Sequence, residues 1–535
     1  MQLSEMFGEI KYTLLQGSME IDVSDIIYDS RKVKEGTVFV CMTGAVADGH
    51  RYIPDAVKKG ASAIVIEREK EATAISEEIT VILVESARYA LALMSAAYFG
   101  YPSRKLTTIG ITGTKGKTTT TYIIQDVLQK AGKKVGLIGT IAVMTGEEVI
   151  PAVNTTPESY ELQRYMAMMV KAGCEYLVME VSSQGLKLDR TAGITFDYGV
   201  FTNLSPDHIG PAEHADFDEY LYCKSLLFKQ CKTGVVNADD KYTERILSGA
   251  TCDVITFSVR NKANAGEKDD DVGNDAAVAG NKDDAGNEAV ISESRADIIA
   301  YDAQFLNENG KLGISFRTKG MMNTAARIHI PGWFSVYNAL TTMAVCSKLG
   351  IADDAILAGL EDVQVKGRVE MISVSTEFSV IIDYAHNELS TRSALSTLLQ
   401  YEPTRLIAVF GCGGNRSKRR RYDIGEAAGE LADLCILTSD NPRFEEVSDI
   451  NNDIKEGLAG SDGNYVEIED RKEAIAYAIT HAQPGDMIIM LGKGHEDYIE
   501  IKGVKHHFSE HEAIAEIVDE IKAGERQMEN EVTLI

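Results

Sequence analysis

The glycine-rich segment 108–119 carries the residues with the clearest chemistry in the chain. It reads TIGITGTKGKTT, follows an apolar run and opens a stretch with helical periodicity that extends to about Lys130. Its glycines leave successive backbone N–H groups open to phosphate oxygens, and a helix N-terminus adds about half a positive charge. Lys117 can reach β- and γ-phosphates, and Thr118 can ligate magnesium. One position departs from the strict pattern, which has glycine at Ile111. The segment therefore predicts a nucleoside polyphosphate site.

Such a site needs a carboxylate close to the metal, usually at the end of a neighbouring strand. Glu180 closes the run YLVME and is the natural candidate. His208 follows another apolar run and is a candidate for a second metal site. A histidine in a loop is more often a surface residue, and the flanking residues Asn203–Asp207 are what favour a functional reading here.

Short apolar runs alternate with amphipathic segments along the chain. These runs predict the strands and helices that position the candidate residues. Several of the runs end in Asp or are followed directly by Gly or Asn. The runs are Leu106–Ile111, Lys134–Ile138, Tyr176–Val181, Tyr198–Thr202, Val380–Asp383, Leu406–Phe410, Cys435–Thr438 and Met487–Leu491. This alternation predicts an α/β fold built from βαβ units around parallel sheets. Ligands in such folds bind beyond the carboxyl ends of the strands, where the candidate residues lie.

Three domains are expected, because 535 residues are too many for one ordinary core. Residues 1–104 form a small α/β domain, 105–366 the central domain and 367–535 the third. Residues 261–292 contain three lysines against eight acids, with no aromatic residue and no leucine. Such a composition cannot offset the entropy lost on ordering, so we expect a disordered acidic insertion there.

Composition limits the class of protein. The formal net charge is -27, with 54 Lys and Arg against 81 Asp and Glu, so the surface repels nucleic acid. No apolar window is long enough to span a bilayer, and the N-terminus lacks the basic region of a secretory signal. The eight cysteines are scattered without a C-x-x-C pair, which fits a reducing cytoplasm. These numbers indicate a cytoplasmic enzyme with no nucleic acid partner and no membrane insertion. We also expect small-molecule substrates and a monomeric state, although composition does not give the oligomeric state.

An ordered set of motifs runs through nearly the whole chain outside the acidic segment. They are GTKGKTTT, Asn154–Glu158, Met179–Ser183, Asn203–His208, Tyr337-Asn338, Gly367–Glu370, Asp383–His386, Gly411–Arg416, Asp440–Arg443 and Gly492–Glu496. Together they resemble the Mur ligases, the ATP-dependent amino-acid-adding enzymes of peptidoglycan assembly. The resemblance is closest to the tripeptide synthetase branch, which extends UDP-MurNAc-L-Ala-D-Glu. It implies a small N-terminal domain, a central P-loop ATPase-like domain and a C-terminal Rossmann-like domain.

The resemblance also implies a mechanism and its residues. ATP phosphorylates the substrate carboxylate, and the incoming amine attacks the acyl phosphate, so cations and backbone N–H groups should carry most of the catalysis. The catalytic set is Lys117, Glu180, His208 and Lys224. The ATP set is Gly113, Thr114, Lys115, Gly116, Lys117, Thr118, Thr119, Asn338, Arg368 and Asp383. The Mg²⁺ set is Thr118, Glu180, His208 and Lys224, with Lys224 carbamylated so that its ammonium becomes an anion.

Two further sets concern the other substrates. The UDP-sugar set is Tyr28, Ser30, Asn154, Thr155, Thr156, Ser182 and Arg190. Ala45-Val46-Ala47 would add backbone contacts, while Gln184 and Leu188 depart from the family pattern. The amino-acid set is Arg416, Asp440, Asn441, Pro442, Arg443, Gly492 and Glu496. An arginine at 443 suits the distal carboxylate of meso-diaminopimelate, and Glu496 suits a substrate ammonium.

Three alternatives stay open from the sequence. The same reaction could use L-lysine or another diamino acid. A folylpolyglutamate synthetase-like ligase shares the phosphate loop, although Asp29-Ser30-Arg31 and Asp440–Arg443 disfavour it. A catalytically silent nucleotide-binding scaffold is disfavoured by the intact set Lys117, Glu180, His208 and Lys224.

Overall fold

The computed structural model describes the chain except residues 45–46, 211–212, 261–295, 309, 462 and 531, and it does not describe the side chains of 73–74. The expected insertion 261–292 and the Ala45-Val46 pair lie outside the described residues. Those that are described form two compact units. The first comprises 1–258, 296–297 and 341–352, and the second comprises 259–260, 298–340 and 353–535. The boundaries of the three expected domains, at 104/105 and 366/367, stay a prediction.

The first unit begins with a five-stranded sheet. Its elements are α1 (Leu3–Met6), β1 (Tyr12–Gln16), β2 (Ile26–Ile27), β3 (Val38–Val40), α2 (Ile53–Lys58), β4 (Ala63–Ile66), β5 (Thr80–Val84) and α3 (Ala87–Tyr98). The strand order is β1-β5-β4-β3-β2, and only β1 runs antiparallel to its neighbour. Nine of the 12 residues of α3 are buried, and its leucine, alanine and methionine side chains pack against this sheet.

The larger sheet of the first unit carries the phosphate-loop segment. Its elements are β6 (Thr107–Thr112), α4 (Lys117–Lys130), β7 (Val135–Ile138), β8 (Ala142–Met144), β9 (Val149–Pro151), α5 (Ser159–Lys171), β10 (Tyr176–Glu180), α6 (Ser183–Lys187), β11 (Phe196–Phe201), α7 (Phe217–Ser225), β12 (Cys231–Asn237), α8 (Thr243–Ile246) and β13 (Asp253–Val259). The order is β13-β12-β11-β6-β10-β7-β8-β9, parallel from β13 to β7. Parallel register aligns the carboxyl ends of β6, β10 and β11, where ligands of such sheets bind.

The second unit begins with antiparallel strands and continues with a six-stranded sheet and its helices. Its elements are β14 (Ile298–Glu308), β15 (Lys311–Gly320), β16 (Ala325–Ile328), α9 (Phe334–Lys348, which continues into the first unit), α10 (Asp353–Asp362), β17 (Glu370–Ile372), β18 (Ser379–Asp383), α11 (Glu388–Leu399), β19 (Leu406–Phe410), α12 (Lys418–Leu431), β20 (Leu434–Leu437), α13 (Val447–Leu458), β21 (Asn464–Glu467), α14 (Arg471–Thr480), β22 (Met487–Leu491), β23 (Tyr498–Ile501), β24 (Val504–His507) and α15 (Glu510–Lys522). The sheet order is β17-β18-β22-β19-β20-β21, parallel except for β17. β23 and β24 form a separate hairpin.

The α/β class with parallel sheets is confirmed. Each of the eight apolar runs is a strand whose bounds differ from the prediction by two residues at most, and α4 ends at Lys130 as expected. In the described part of the chain, no helix combines the length and the apolar character that crossing a bilayer requires.

Candidate active site

The phosphate loop joins β6 to α4 and is braced from the neighbouring strand. Gly116 is the N-cap of α4 with φ 84°, and the helix of 14 residues directs its first N–H groups toward the loop. Asn203, just after β11, accepts from Lys115 N through Oδ1 at 2.9 Å, and its carbonyl accepts from Thr114 N at 2.9 Å. Lys117 Nζ donates to the carbonyls of Gly113 and Thr114 at 2.9 and 3.0 Å. The loop therefore presents backbone donors and an ammonium together.

Residue 113 has to be glycine for two reasons: its backbone conformation favours glycine, and a side chain there would clash with its neighbours. Its φ is 149°, and a Cβ there would lie 2.0 Å from Thr202 Oγ1 and 3.1 Å from the Asn203 carbonyl oxygen. We expect Gly113→Ala to displace the loop and to reduce nucleotide affinity at least about tenfold, because the brace to Asn203 and the new side chain compete for one space. Titration of a fluorescent ATP analogue measures this.

Gly132→Ala is the matched control for that substitution. Gly132 lies just beyond α4 with φ 78°, and a Cβ there would meet nothing within 4 Å. Its replacement strains only the backbone, so nucleotide affinity should not change. Equal affinity losses in the two variants would contradict the steric role of Gly113.

Glu180 accepts hydrogen bonds from two threonine hydroxyl groups at the carboxyl end of β10. Its side chain is buried, and Oε2 accepts from Thr118 Oγ1 at 3.0 Å and from Thr140 Oγ1 at 3.1 Å. Oε1 accepts from Thr140 N at 2.7 Å. A carboxylate beside a threonine hydroxyl is a donor set that Mg²⁺ accepts, since this ion takes oxygen ligands. Thr118 and Glu180 therefore fit the expected metal role.

Lys224 lies on α7 with 1% of its surface exposed. Its Nζ donates to the Gly113 carbonyl at 2.7 Å and lies 4.6 Å from the centre of the Tyr220 ring. Burial, reinforced by the nearby charge of Lys117, holds the pKa of Lys224 well below its ordinary value. The neutral amine, which is the nucleophilic form, is thus favoured at this position.

His208 belongs to a different set of contacts from Glu180. The histidine is exposed, has φ 55°, and its Nδ1 lies 2.9 Å from Glu213 Oε1. Its ring centre is 6.0 Å from that of Tyr220, whose hydroxyl lies 3.1 Å from Thr114 Oγ1. Among the residues that the structure describes, no group of three or more His, Cys, Asp and Glu could hold a metal ion. The metal role of His208 stays a prediction.

Several residues of the expected UDP-sugar set adjoin Glu180. Thr156 Oγ1 donates to the Glu180 carbonyl at 3.0 Å and accepts from Ser182 N at 3.0 Å. Arg190 donates to the Thr156 carbonyl at 2.9 Å and pairs with Glu158 at 2.6 Å. Thr155 Oγ1 lies 3.0 Å from Thr140 Oγ1. Three members of the set remain. Asn154 is exposed, the Ser30 carbonyl accepts from Lys59 Nζ, and Tyr28 is half-buried.

The start of α5 connects this cluster with the first 104 residues. Glu158 also lies 3.4 Å from Arg88 Nη1. Tyr28 donates to Glu161 Oε2 at 2.7 Å, and Tyr160 donates to Asp25 Oδ1 at 2.6 Å. Tyr28 and Arg190 are thus held by acids of one helical turn.

In the second unit, Asp383 lies buried at the end of β18. Its two oxygens accept from Val369 N and Ala385 N, each at 2.8 Å. Burial raises the pKa of Asp383, and nearby Arg368 opposes that shift. The Arg368 guanidinium lies 5.1 Å from the Tyr384 ring centre, and Asn338 is buried on α9. Arg368 and Asp383, both assigned to ATP by the resemblance, are close neighbours.

His495 is expected to make the stability of the fold depend on pH. Its ring centre lies 4.8 Å from that of Tyr384, and burial, with the charges of Arg368 and Lys366, lowers its pKa from the ordinary 6.5 to about 4. Between pH 4 and pH 6.5 the unfolded chain holds a proton on His495 more often than the folded chain does. Protonation therefore favours the unfolded state, and the folded protein loses stability as the pH falls from 6.5 toward 4. We expect the free energy of unfolding to drop by about 1–2 kcal/mol across this window, allowing for partial exposure.

Urea titrations near pH 5 and near pH 7.5 test this expectation against the variant His495→Gln. The variant should lose about that much of the pH dependence, because glutamine does not titrate. An identical pH dependence in both proteins would contradict it.

The expected amino-acid residues meet at the carboxyl ends of β20 and β22. Asn441 Nδ2 donates to Glu496 Oε2 at 2.9 Å. Lys493, with none of its side chain exposed, reaches Glu496 at 3.4 Å and Asp440 at 3.6 Å. Gly492 has φ 108°, and a Cβ there would lie 2.8 Å from Asp440 Oδ2. Two carboxylates, an ammonium and an amide are therefore held in one largely buried cluster.

The remaining residues of that set differ in exposure. Arg443 Nη1 donates to the Gly414 carbonyl at 2.7 Å and Nε to Glu500 Oε2 at 3.1 Å. Pro442 is buried, whereas Arg416 is exposed. Arg443 follows Asn441 by two residues, and Asn441 bonds to Glu496, so one loop carries the arginine and a contact to the cluster.

Three domain models match the chain: a Mur ligase family catalytic domain at 22–99, a Mur ligase middle domain at 111–346 and a Mur ligase glutamate ligase domain at 367–494. A relative from Caldanaerobacter subterraneus is 40% identical over 97% of this chain and 99% of its own length, and one from Clostridium acetobutylicum is 38% identical over 97% and 100%. Both are named UDP-N-acetylmuramoyl-L-alanyl-D-glutamate--2,6-diaminopimelate ligases. The chain belongs to the Mur ligase family.

Solved structures agree on the Mur ligase fold. A structure described by the same ligase name is 25% identical, with a TM-score of 0.67 over 98% of this chain and 100% of that one. A MurF ligase from Thermotoga maritima in complex with ADP is 18% identical, with a TM-score of 0.54 over 94% and 98%, and shares the fold. Mur ligases use ATP and Mg²⁺. The pairing of Thr118 with Glu180 in this chain fits that requirement.

Sequence reasoning overlooked several residues of this Mur ligase. Thr140 follows β7 and Lys493 lies inside the Gly492–Glu496 motif, so position after a strand was the available signal. Glu158 closes the Asn154–Glu158 motif and was not assigned a role. Arg88 and Glu500 lie in segments without any motif, and only the tertiary contacts identify them.

Proposed function

We propose that this Mur ligase joins meso-diaminopimelate to UDP-MurNAc-L-Ala-D-Glu with ATP, as a cytoplasmic step of peptidoglycan precursor synthesis. One observation carries the choice of amino acid. Asn441 donates to Glu496 and accepts from the N–H of Glu500, whose carbonyl accepts from Arg443 N. A cation for a carboxylate and an anion for an ammonium are therefore linked through Asn441. The names of the whole-chain relatives support the same substrate pair.

The phosphate loop would hold and polarise the transferred phosphoryl group. Asn203 accepts from the N–H groups of Thr114 and Lys115, so the other backbone N–H groups from Gly113 to Thr119 and the ammonium of Lys117 would stabilise charge on its oxygens as it moves to the substrate carboxylate. The amine of the incoming amino acid then attacks the acyl phosphate, and phosphate leaves from the tetrahedral intermediate. Mg²⁺ held by Thr118 and Glu180 would neutralise phosphate charge. In the second unit, Asn338, Arg368 and Asp383 are proposed to contact the nucleotide.

Carbamylation of Lys224 is part of the proposal. Only a neutral amine adds CO₂, and the burial of Lys224 favours that form. The product is an anion, which suits a magnesium ligand and removes the repulsion with Lys117. The carbamate and His208 are proposed as ligands of a second Mg²⁺ ion. A monomeric state is proposed as well.

The amino-acid-dependent release of phosphate tests the proposed function. With ATP, Mg²⁺ and UDP-MurNAc-L-Ala-D-Glu present, we expect kcat/KM for meso-diaminopimelate to exceed that for L-lysine or ornithine at least about a hundredfold. A preference for lysine would reject the assigned amino acid. Phosphate release that needs a folate and glutamate would support the folylpolyglutamate synthetase alternative, and nucleotide binding without turnover would support a silent scaffold.

A further inference from the structure

The β23–β24 hairpin is hydrogen-bonded to the loop formed by Asp440–Arg443. Arg443 N donates to the Glu500 carbonyl at 2.9 Å, and Lys502 N donates to the Arg443 carbonyl at 2.6 Å. Glu500 N donates to Asn441 Oδ1 at 2.8 Å. These bonds extend the edge of β23 along the loop, so hairpin and loop are a single hydrogen-bonded substructure.

The backbone of Arg443 is strained within this substructure. Its φ is 54°, in the left-handed region that residues with a Cβ rarely adopt. Such a conformation persists when the surroundings determine it, and here its own N–H and carbonyl are both bound by the hairpin. The hairpin therefore fixes the direction in which the Arg443 side chain leaves the loop.

Glu500 also fixes the end of that side chain. Its Oε2 accepts from Arg443 Nε at 3.1 Å, while the Gly414 carbonyl accepts from Nη1 at 2.7 Å. Both partners of the ion pair are about three-quarters buried, which limits solvent screening. Two contacts on different nitrogens set the plane of a guanidinium, whose donors form a rigid fork.

We propose that Glu500 is a positioning residue that orients Arg443 for the distal carboxylate of the incoming amino acid. This inference rests on the proposed function, in which Arg443 receives that carboxylate. Bidentate recognition requires the fork and the carboxylate to be coplanar, so orientation contributes as much as charge. Glu500 also offsets the charge of Arg443, so that an anion in another geometry gains little from binding there.

A double-mutant cycle tests whether Glu500 acts through Arg443. We expect Glu500→Ala to raise KM for meso-diaminopimelate about tenfold, with kcat and KM for ATP within about twofold of wild type. In an Arg443→Ala background the same change should alter KM by less than about twofold. Glu500→Gln keeps an acceptor for Nε and should restore KM to within about threefold of wild type.

Glu512→Ala is the matched control, because Glu512 pairs with His507 on the other strand of the hairpin and both side chains are exposed. It should leave KM unchanged. An unchanged KM in Glu500→Ala, or an equal increase in both backgrounds, would overturn the inference. If wild-type enzyme prefers lysine, the proposed function fails and the inference fails with it. If wild type prefers meso-diaminopimelate and the cycle shows no coupling, the inference alone is wrong.

Discussion

Lys117→Ala should reduce amino-acid-dependent phosphate release about a thousandfold, the effect expected when a cation that stabilises a migrating phosphoryl group is removed. The Lys117 ammonium donates to the Gly113 and Thr114 carbonyls, and its side chain is only partly buried. The substitution should therefore cost little stability. A melting temperature within a few degrees of wild type, measured on the same preparation, separates lost chemistry from lost fold.

Lys130→Ala is the control for Lys117. Lys130 ends the same helix and pairs with Asp126 at 3.1 Å, remote in sequence from the loop. Its removal should leave turnover within about twofold, since helix ion pairs at exposed positions contribute little. Retention of a tenth or more of wild-type turnover by Lys117→Ala would contradict the role assigned to the loop.

Lys224→Ala is expected to reduce turnover by at least about a hundredfold, because the variant cannot form the carbamate that would ligate Mg²⁺. Intact-protein mass spectrometry under mild conditions should find one added CO₂ on wild type and none on the variant. Removal of dissolved bicarbonate should lower wild-type activity, and its return should restore it. The variant should respond to neither change.

Lys229→Ala provides the comparison for Lys224. Its Nζ also lies over a tyrosine ring, 5.2 Å from the centre of Tyr222, yet the residue is exposed. Lys229 does not belong to the buried site around Gly113, so this variant should keep the added mass and full activity. A fully active Lys224→Ala would refute the carbamate proposal.

Local patterns predicted the strands and the phosphate loop well. The β6 run, the glycines after it and the periodicity of α4 are neighbours in sequence, so their order alone defines strand, loop and helix. Glu180 was found in the same way, because it ends a run of apolar residues. The parallel register between β6 and β10 then places it beside Thr118.

Contacts across long sequence separations could not be predicted in this way. The sequence around Lys224 does not distinguish it from an ordinary lysine on a surface helix. The packing of α7 beside the phosphate loop is what buries it. Thr140 reaches Glu180 because β7 pairs with β10, a register that no local pattern specifies. Glu500 and Arg443 are 57 residues apart, and a hairpin brings them together.

The acids and tyrosine in the first turn of α5 restrict how related enzymes could be recombined. Glu158, Tyr160 and Glu161 contact Arg88, Asp25 and Tyr28, while Glu158 also holds Arg190. A chimera that takes residues 1–104 from a distant relative would replace Arg88, Asp25 and Tyr28, and would leave Glu158 with Arg190 as its remaining partner. Residues 158–161 would have to be transplanted together with that amino-terminal module.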